Sequence, residues 1–545
     1  LTATPAVLKI SLSFSYHNLF VSKMSFSASR VSSSLASLFL RKASLLRLGI
    51  CVGVYALLVV WLWQWSYTGD GDSMLHYWNL RITWLDPKLG LTVWARPLYV
   101  LLMIVPAQFG LVAARCFAAL ATTLLVWQTM RLADDLKLPN ATLAGLLLLF
   151  QPFTFALASD TMTEIPMALG LTLALRLWWA TRFAASCLLV SFLPLVRPEG
   201  FLLMPVWGLF LLALPRTSEF PSWPQRFVIG ASLATGMIGL LIVCRLVTGE
   251  WLYFVTEWSW RLTGVTKGSF WHHFVHWPQY CGWVLLPLFL VGVMAACRRV
   301  MALPWAAWLV VILAHTLMHW TGTFEALGLM RILVTTAPVT ALLCLYGWNA
   351  LARLLRAQQW PEFVQRGVTV FVMLLAMVTA MIFYHEEPLH HRFKLARAAA
   401  AFVREQQLLA AAPRVFAADP IVLAELDVAP REVWLILKNP HRPPFDEGLL
   451  VRHIFDREKS VAQMNALPPG TVGVWDNDQG RWWYHILPEE FPALGYTVLH
   501  QTKQTERDFA MQWPDWMKKI LLGPFLKLKY GIPEHEYVVV QKNGE

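Results

Sequence analysis

Four uninterrupted apolar stretches, Gly49–Trp63, Leu143–Ala158, Phe227–Val243 and Gly367–Tyr384, constrain this chain more than any other feature. Each is close to the length that crosses roughly 30 Å of hydrocarbon at roughly 1.5 Å per helical residue. Charged residues make up 14% of the chain and hydrophobic ones 57%, where a soluble domain carries about a quarter charged. The tryptophans are abundant, which suits a membrane–water boundary.

The pattern predicts an all-α polytopic membrane bundle with about eleven transmembrane helices. They fall over 48–66, 109–130, 141–158, 165–181, 183–196, 200–215, 227–247, 282–297, 303–320, 332–351 and 367–384. Residues 1–47 read as a basic, Ser-rich cytoplasmic tail rather than an organellar transit peptide, with initiation expected at Met24. The membrane domain then covers 48–384, with long external loops at 67–108 and 248–282. From Arg392 the composition changes, and 385–545 is expected to form a soluble, extracytoplasmic α/β domain. There Phe393–Ala412 reads as an amphipathic helix, and Val415–Ala418, Val433–Leu437, Val472–Trp475, Tyr496–His500 and Tyr537–Val540 as strands. Trp513–Tyr530 mixes apolar residues with lysines and reads as a half-buried helix or one that lies on anionic lipid.

Basic residues orient the bundle. Arg41, Lys42 and Arg47 precede the first span, and Arg131, Lys137, Arg182, Arg216, Arg226, Arg298, Arg299, Arg353, Arg356 and Arg366 all fall on that same side. By the positive-inside rule this side is the cytoplasm, so the C-terminal domain lies in a periplasm or lumen. The net charge of +11 is therefore read as topology and not as a nucleic-acid surface. None of the seven cysteines falls in the C-terminal domain, so no disulfide framework is expected there. These features favour a bacterial inner-membrane protein.

Acidic residues, which played no part in that orientation, gather on the outer face: Asp70, Asp72, Asp86, Asp160, Glu164, Glu199, Glu250, Glu257 and Glu325. The opposite face holds Asp134, Asp135, Glu219 and Glu362. Carboxylates at helix ends are costly against lipid, so the outer group is expected to line a wet cavity. The first external loop, Thr68-Gly69-Asp70-Gly71-Asp72-Ser73-Met74-Leu75-His76-Tyr77-Trp78, leads into a short interfacial helix over Ser73–Trp84. Arg96-Pro97-Leu98-Tyr99 then opens a second interfacial or half-inserted helix ending near Pro106. Asp70 and Asp72 suit a general base, a divalent-cation site, or both. The structural alternative is a solvated turn with Asp72 as helix N-cap. Asp160 and Glu164 stand one turn apart and either orient a substrate or offset a helix dipole. Loop 248–282 is crowded with aromatics, read as an interfacial belt. It carries His272, His273 and His276, while His315 and His319 share i,i+4 spacing; a zinc site is the less favoured reading of both sets.

The first external loop and the segments after it resemble the GT-C superfamily of membrane glycosyltransferases, which includes protein O-mannosyltransferases, lipid A aminoarabinose transferases and glycolipid mannosyltransferases. Arg96-Pro97-Leu98 matches the basic-Pro-Leu element after the acidic loop, and Ala158-Ser159-Asp160-Thr161-Met162-Thr163-Glu164-Ile165-Pro166 matches the acidic position opening a later span. Arg197-Pro198-Glu199-Gly200 and Gly328-Leu329-Met330-Arg331, with Pro338 beyond, look like elements of bacterial members. The Asp-Glu and Lys-Pro-Pro of the aminoarabinose and O-mannosyl families are here Asp-Gly-Asp and Arg-Pro-Leu.

The resemblance implies an inverting hexosyltransferase, for mannose or another hexose, using a polyprenyl-phosphate-linked sugar and a lipid, glycan or protein acceptor at the outer face. Asp72 is then the expected base, with Asp70 as the alternative or as a cation ligand beside it. Arg331, followed by Arg96 and Arg197, is expected at the donor phosphate. Asp160, Glu164, His76 and Glu199 are expected to orient sugar or acceptor. A secondary transporter and an O-antigen ligase or polymerase are the competing expectations.

Overall fold

The computed structural model of the protein describes residues 32–64, 71–92, 95–217, 220–256, 267–296, 301–323, 328–386, 389–426, 457–477, 480, 485–504 and 535–544. Asp70, Glu219, Glu257, Glu325, the strand expected over Val433–Leu437, the segment Trp513–Tyr530 and most of the N-terminal tail lie outside the described residues.

Every apolar run becomes helical. The bundle comprises α1 (Ser32–Gln64), α2 (Gly71–Thr83), α3 (Pro97–Gln108), α4 (Leu111–Asp135), α5 (Leu143–Leu149), α6 (Pro152–Leu157), α7 (Glu164–Trp179) and α8 (Phe183–Phe192). It continues with α9 (Gly200–Leu212), α10 (Trp223–Ala231), α11 (Thr235–Thr248), α12 (Leu286–Ala295), α13 (Ala302–Thr321), α14 (Ala337–Ala357) and α15 (Glu362–Glu386). Among the described residues, six helical segments are long and apolar enough to cross a membrane: Ser44–Leu62, Leu111–Asp135, Trp223–Thr248, Ala302–Thr321, Met330–Ala357 and Glu362–Ile382. The other expected spans are represented by shorter helices. The run over 141–158 departs most, because Pro152 has no N–H to continue the ladder. It divides there into α5 and α6, with Gln151 extended between them.

Packing explains which helices lie inside. Met330–Ala357 is 83% buried along its apolar window, against 17% for Trp223–Thr248, so the former is the central post and the latter faces lipid. Small residues let α12 close onto α14. A Cβ on Gly292 would sit 1.7 Å from the Leu343 carbonyl oxygen, and one on Gly347 would sit 1.9 Å from that of Leu288. Where lipid tails remove the hydrophobic drive between helices, such close backbone approach supplies the attraction.

The two ends of the bundle differ. At one, Arg47 pairs with Asp134 and Arg176 with Asp135 at 2.7 Å, while Asn140 donates to Asn349 at 2.8 Å. The opposite end carries the acidic and basic residues of the loops.

The C-terminal domain starts with α16 (Leu389–Glu405) and builds a four-stranded sheet in the order β1-β2-β4-β3. Its strands are β1 (Val415–Ala417), β2 (Val472–Asp476), β3 (Tyr496–Gln504) and β4 (His535–Lys542). β1 runs parallel to β2, and both other pairings are antiparallel. One sheet face packs Phe416, Trp475, Phe491 and Tyr496. The other face joins α16, the short α17 (Pro420–Glu425) and the two interfacial helices α2 and α3 in a single apolar core.

Candidate active site

Five separate loops deliver the charged residues to one place. α2 presents Asp72 in its first turn, so Asp72 is inside the helix and not at its N-cap. Its carboxylate forms an ion pair with Arg331, from the 3-10 turn Met330–Thr336 that leads into the central post. The Asp72 side chain remains 45% exposed while that of Arg331 is 11% exposed, so the carboxylate is reachable and the guanidinium is held from behind. Arg331 Nε also lies 4.0 Å from Glu164 at the start of α7.

Glu164 leads to a second, buried group. Arg197 reaches it at 2.9 Å and holds Glu199 at 2.8 Å. A further Arg197 donation goes to the Thr163 hydroxyl at 2.8 Å. His315 on α13 meets the same Glu199 oxygen at 2.9 Å. Burial alone would raise the Glu199 pKa, but Arg197 and His315 outweigh it and hold the carboxyl well below the usual range. The sequence places Arg197 at the donor phosphate. In the structure its fork is engaged by two carboxylates and a hydroxyl, which makes it the clasp that fixes them.

Asp160 sits behind α2. It accepts hydrogen bonds from the Ser73 hydroxyl and, at 3.0 Å, from the Thr161 N–H, and Thr161 donates back to the Ser73 carbonyl at 2.7 Å. Burial raises the Asp160 pKa to about 7, against the opposing pull of Arg115 and these hydrogen bonds. A carboxyl whose folded pKa lies above its unfolded value binds its proton more tightly when folded. Its contribution to stability is therefore present at low pH and declines as pH rises from about 4 to about 7. Asp160→Asn is expected to flatten the pH dependence of thermal unfolding over that window. Unfolding scans of both proteins at stepped pH would show it, and parallel curves would count against the assignment.

Arg96 adopts a left-handed backbone at φ 61° where it caps α3. Such a conformation costs a non-glycine residue about 1–3 kcal/mol and is typically retained at functional positions. Burial, then the neighbouring Arg197, lowers its pKa to about 10, so it stays cationic at neutral pH. His76 is pushed down to about 3 by burial, Arg96 and Arg197, which leaves a neutral ring. That ring meets Tyr99 edge-on with centroids 5.5 Å apart.

Thus Asp72, His76, Arg96, Asp160, Glu164, Arg197, Glu199 and Arg331 lie together, while Asp70 is outside the described residues. Asp86 stands apart and caps the turn Pro87–Leu91 through the Lys88 N–H. Sequence reasoning missed Ser73, Tyr99 and Thr163, and it treated His315 only as a zinc candidate. Ser73 follows Asp72 and Tyr99 lies one turn beyond Arg96, so adjacency was the available signal. The His272 imidazole lies against those of His276 and His319 with ring centroids 4.3 and 4.6 Å apart in tilted arrangements, and His272 bonds the Gly328 carbonyl at 2.8 Å. Among the described residues no three His, Cys, Asp or Glu side chains are arranged to hold a metal.

A small apolar cleft lies beside the cationic group. Leu91, Pro97, Leu195, Pro198, Phe201 and Leu240 contribute to its wall. Pro97 and Pro198 are the immediate chain neighbours of Arg96 and Arg197, so guanidinium groups and greasy surface adjoin.

No protein-family model matches the sequence, and no curated protein is detectably similar in sequence. Structural similarity is extensive. The crystal structure of ArnT from Cupriavidus metallidurans in the apo state aligns with a TM-score of 0.54 at 12% identity, covering 92% of this chain and 98% of that one. The same protein bound to undecaprenyl phosphate aligns with a TM-score of 0.56 at 13% identity, over 91% of this chain and 98% of that one. Both alignments run through the bundle and the C-terminal domain, and identity this low speaks for the fold alone. The chain shares the overall fold of ArnT from Cupriavidus metallidurans.

Proposed function

We propose that the protein is an inverting glycosyltransferase that moves a sugar, mannose or another hexose, from a polyprenyl phosphate to an acceptor hydroxyl at the outer or lumenal face of a membrane. The observation that carries this reading is the exposed Asp72 carboxylate beside the Arg331 and Arg96 guanidinium groups, next to an apolar cleft. A prenyl-phosphate sugar has that composition: a hydrocarbon chain for the cleft, an anion for Arg331 and Arg96, and an anomeric carbon between phosphate and base. ArnT, whose fold the chain shares, has been crystallised with undecaprenyl phosphate.

In the proposed step Asp72 takes the proton of the acceptor hydroxyl as its oxygen attacks the anomeric carbon from the face opposite the phosphate. The carbon–oxygen bond to phosphate breaks, and the departing prenyl phosphate carries its electron pair and negative charge toward Arg331 and Arg96. One displacement inverts the anomeric centre. Arg197 keeps Glu199 ionised and holds Glu164 and Glu199 fixed, where they and Asp160 meet sugar or acceptor hydroxyls. A cation between Asp70 and Asp72 has less support, because the Asp72 carboxylate is already paired with Arg331. The charged group also sits at one end of the bundle, unlike the midplane sites of secondary transporters.

The test is turnover by the purified protein in lipid with radiolabelled prenyl-phosphate sugars and a panel of lipid, glycan and peptide acceptors. Transfer with inverted anomeric configuration is expected for one donor. Failure both to bind and to turn over every donor would remove the transferase reading.

A further inference from the structure

The outer domain touches the proposed active site from an unexpected side. α2 is only thirteen residues long, and helices of that length are marginal in water without tertiary packing. Its two faces have different partners. Asp72, Ser73 and His76 point toward Arg331, Asp160 and the Arg96–Arg197 pair. Met74, Trp78 and Ile82, spaced four residues apart on the opposite face, enter the apolar core that also holds Leu395, Ile421 and Val539 of the C-terminal domain.

One directional bond fixes this contact. Trp78 is 1% exposed, and its indole N–H donates to the Pro420 carbonyl at 3.0 Å. Pro420 is the first residue of α17, and its position is itself secured. Asp419 is buried and caps α17 by accepting the Ile421 N–H at 3.0 Å. Its other oxygen accepts the Tyr537 hydroxyl at 2.7 Å, and Tyr537 lies in β4 opposite Asp476 of β2. A continuous connection therefore runs from the sheet through Tyr537, Asp419 and Pro420 to Trp78, less than two turns from Asp72.

We infer that the C-terminal domain positions the active-site helix, and that Trp78 is the positioning residue through which it acts. The consequence for turnover rests on the assignment of Asp72 as base; the mechanical link does not. Apolar burial alone would let α2 rotate or slide on the domain, because burial has no direction, whereas the indole bond fixes both its rotation and its height. Proximity in a transfer step is sensitive to displacements of about 1 Å, so a loosened α2 lowers kcat without altering the donor's binding groups on the other loops.

Two substitutions in the full-length protein test this. Trp78→Phe keeps an aromatic ring in the core and removes the N–H. Asp419→Asn keeps the side-chain shape, lies in the outer domain away from the reacting groups, and weakens the Tyr537 and cap contacts. Each is expected to speed hydrogen exchange of the amides in 71–83 by roughly 3- to 10-fold, the equivalent of one net hydrogen bond. Each should also lower kcat by a similar factor with the KM for the donor unchanged. Unchanged exchange in 71–83 for both variants, with both still folded, would overturn the inference. So would faster exchange with an unaltered kcat, or a kcat and KM that move together. If the wild type neither bound nor turned over any donor, the exchange result alone would decide the link, and the transferase reading would fail separately.

Discussion

Asp72→Asn is expected to lower kcat by about 10²- to 10⁴-fold, the usual contribution of a positioned general base, while the protein folds normally and the KM for the donor changes little. Asparagine has the volume of aspartate but no basicity, and the side chain is 45% exposed, so the fold does not depend on its charge. The salt bridge to Arg331 gives the experiment its sharpness. When the carboxylate is neutralised, Arg331 loses that partner but keeps Glu164 within 4.0 Å, so it stays at the site and available to phosphate. Donor affinity should hold or rise while chemistry fails. A fall in kcat and kcat/KM together, with KM unchanged, marks an interaction made only in the transition state. A rise in KM with kcat intact would instead make Asp72 a binding residue, and the base would have to be sought elsewhere, first at Asp70. Single-turnover transfer with a saturating labelled donor, alongside direct donor binding, separates these outcomes.

Much of the bundle was legible because hydrocarbon imposes a length and a composition on any segment that crosses it. Each apolar run named from the sequence contains a helix. The break at Gln151–Pro152 was not read from the sequence, since the residues on both sides are apolar and nothing in their spacing changes; only the proline marks it. Site residues were legible by position, as charges at helix ends on one face. Their pairing was not. Asp72 and Arg331 are separated by most of the membrane domain, and no local periodicity records a contact at that distance. His315 shows how little spacing alone decides, and zinc was the less favoured reading there. Its i,i+4 relation to His319 suggested zinc, yet the ring is turned to Glu199. In the C-terminal domain the strands at Val415, Val472, Tyr496 and Tyr537 followed from β-branched and aromatic runs, while its grip on α2 had no sequence signature, because the apolar face of α2 is equally suited to lipid.

Arg197→Ala is expected to be the most destabilising single change in the site, at about 3–5 kcal/mol, the cost of removing one partner from a buried ion pair. The Arg197 and Glu199 side chains are 9% and 4% exposed, and Glu164 is 1% exposed, so water does little to relieve the two carboxylates left behind. His315 still reaches Glu199 and Arg331 lies 4.0 Å from Glu164, but neither spans both as the guanidinium fork does. Arg197→Lys should recover only part of the loss, because an ammonium is a point charge that satisfies one carboxylate at a time. The decisive measurement is a cycle of thermal unfolding in detergent. If uncompensated charge is the cause, adding Glu164→Gln and Glu199→Gln to Arg197→Ala should restore much of the melting temperature, and the changes should be strongly non-additive. If Arg197→Ala melts close to wild type, or if the carboxamides give no rescue, the clasp is not what holds these loops together. Arg197 would then be free to serve the donor phosphate, as its place in the sequence first suggests.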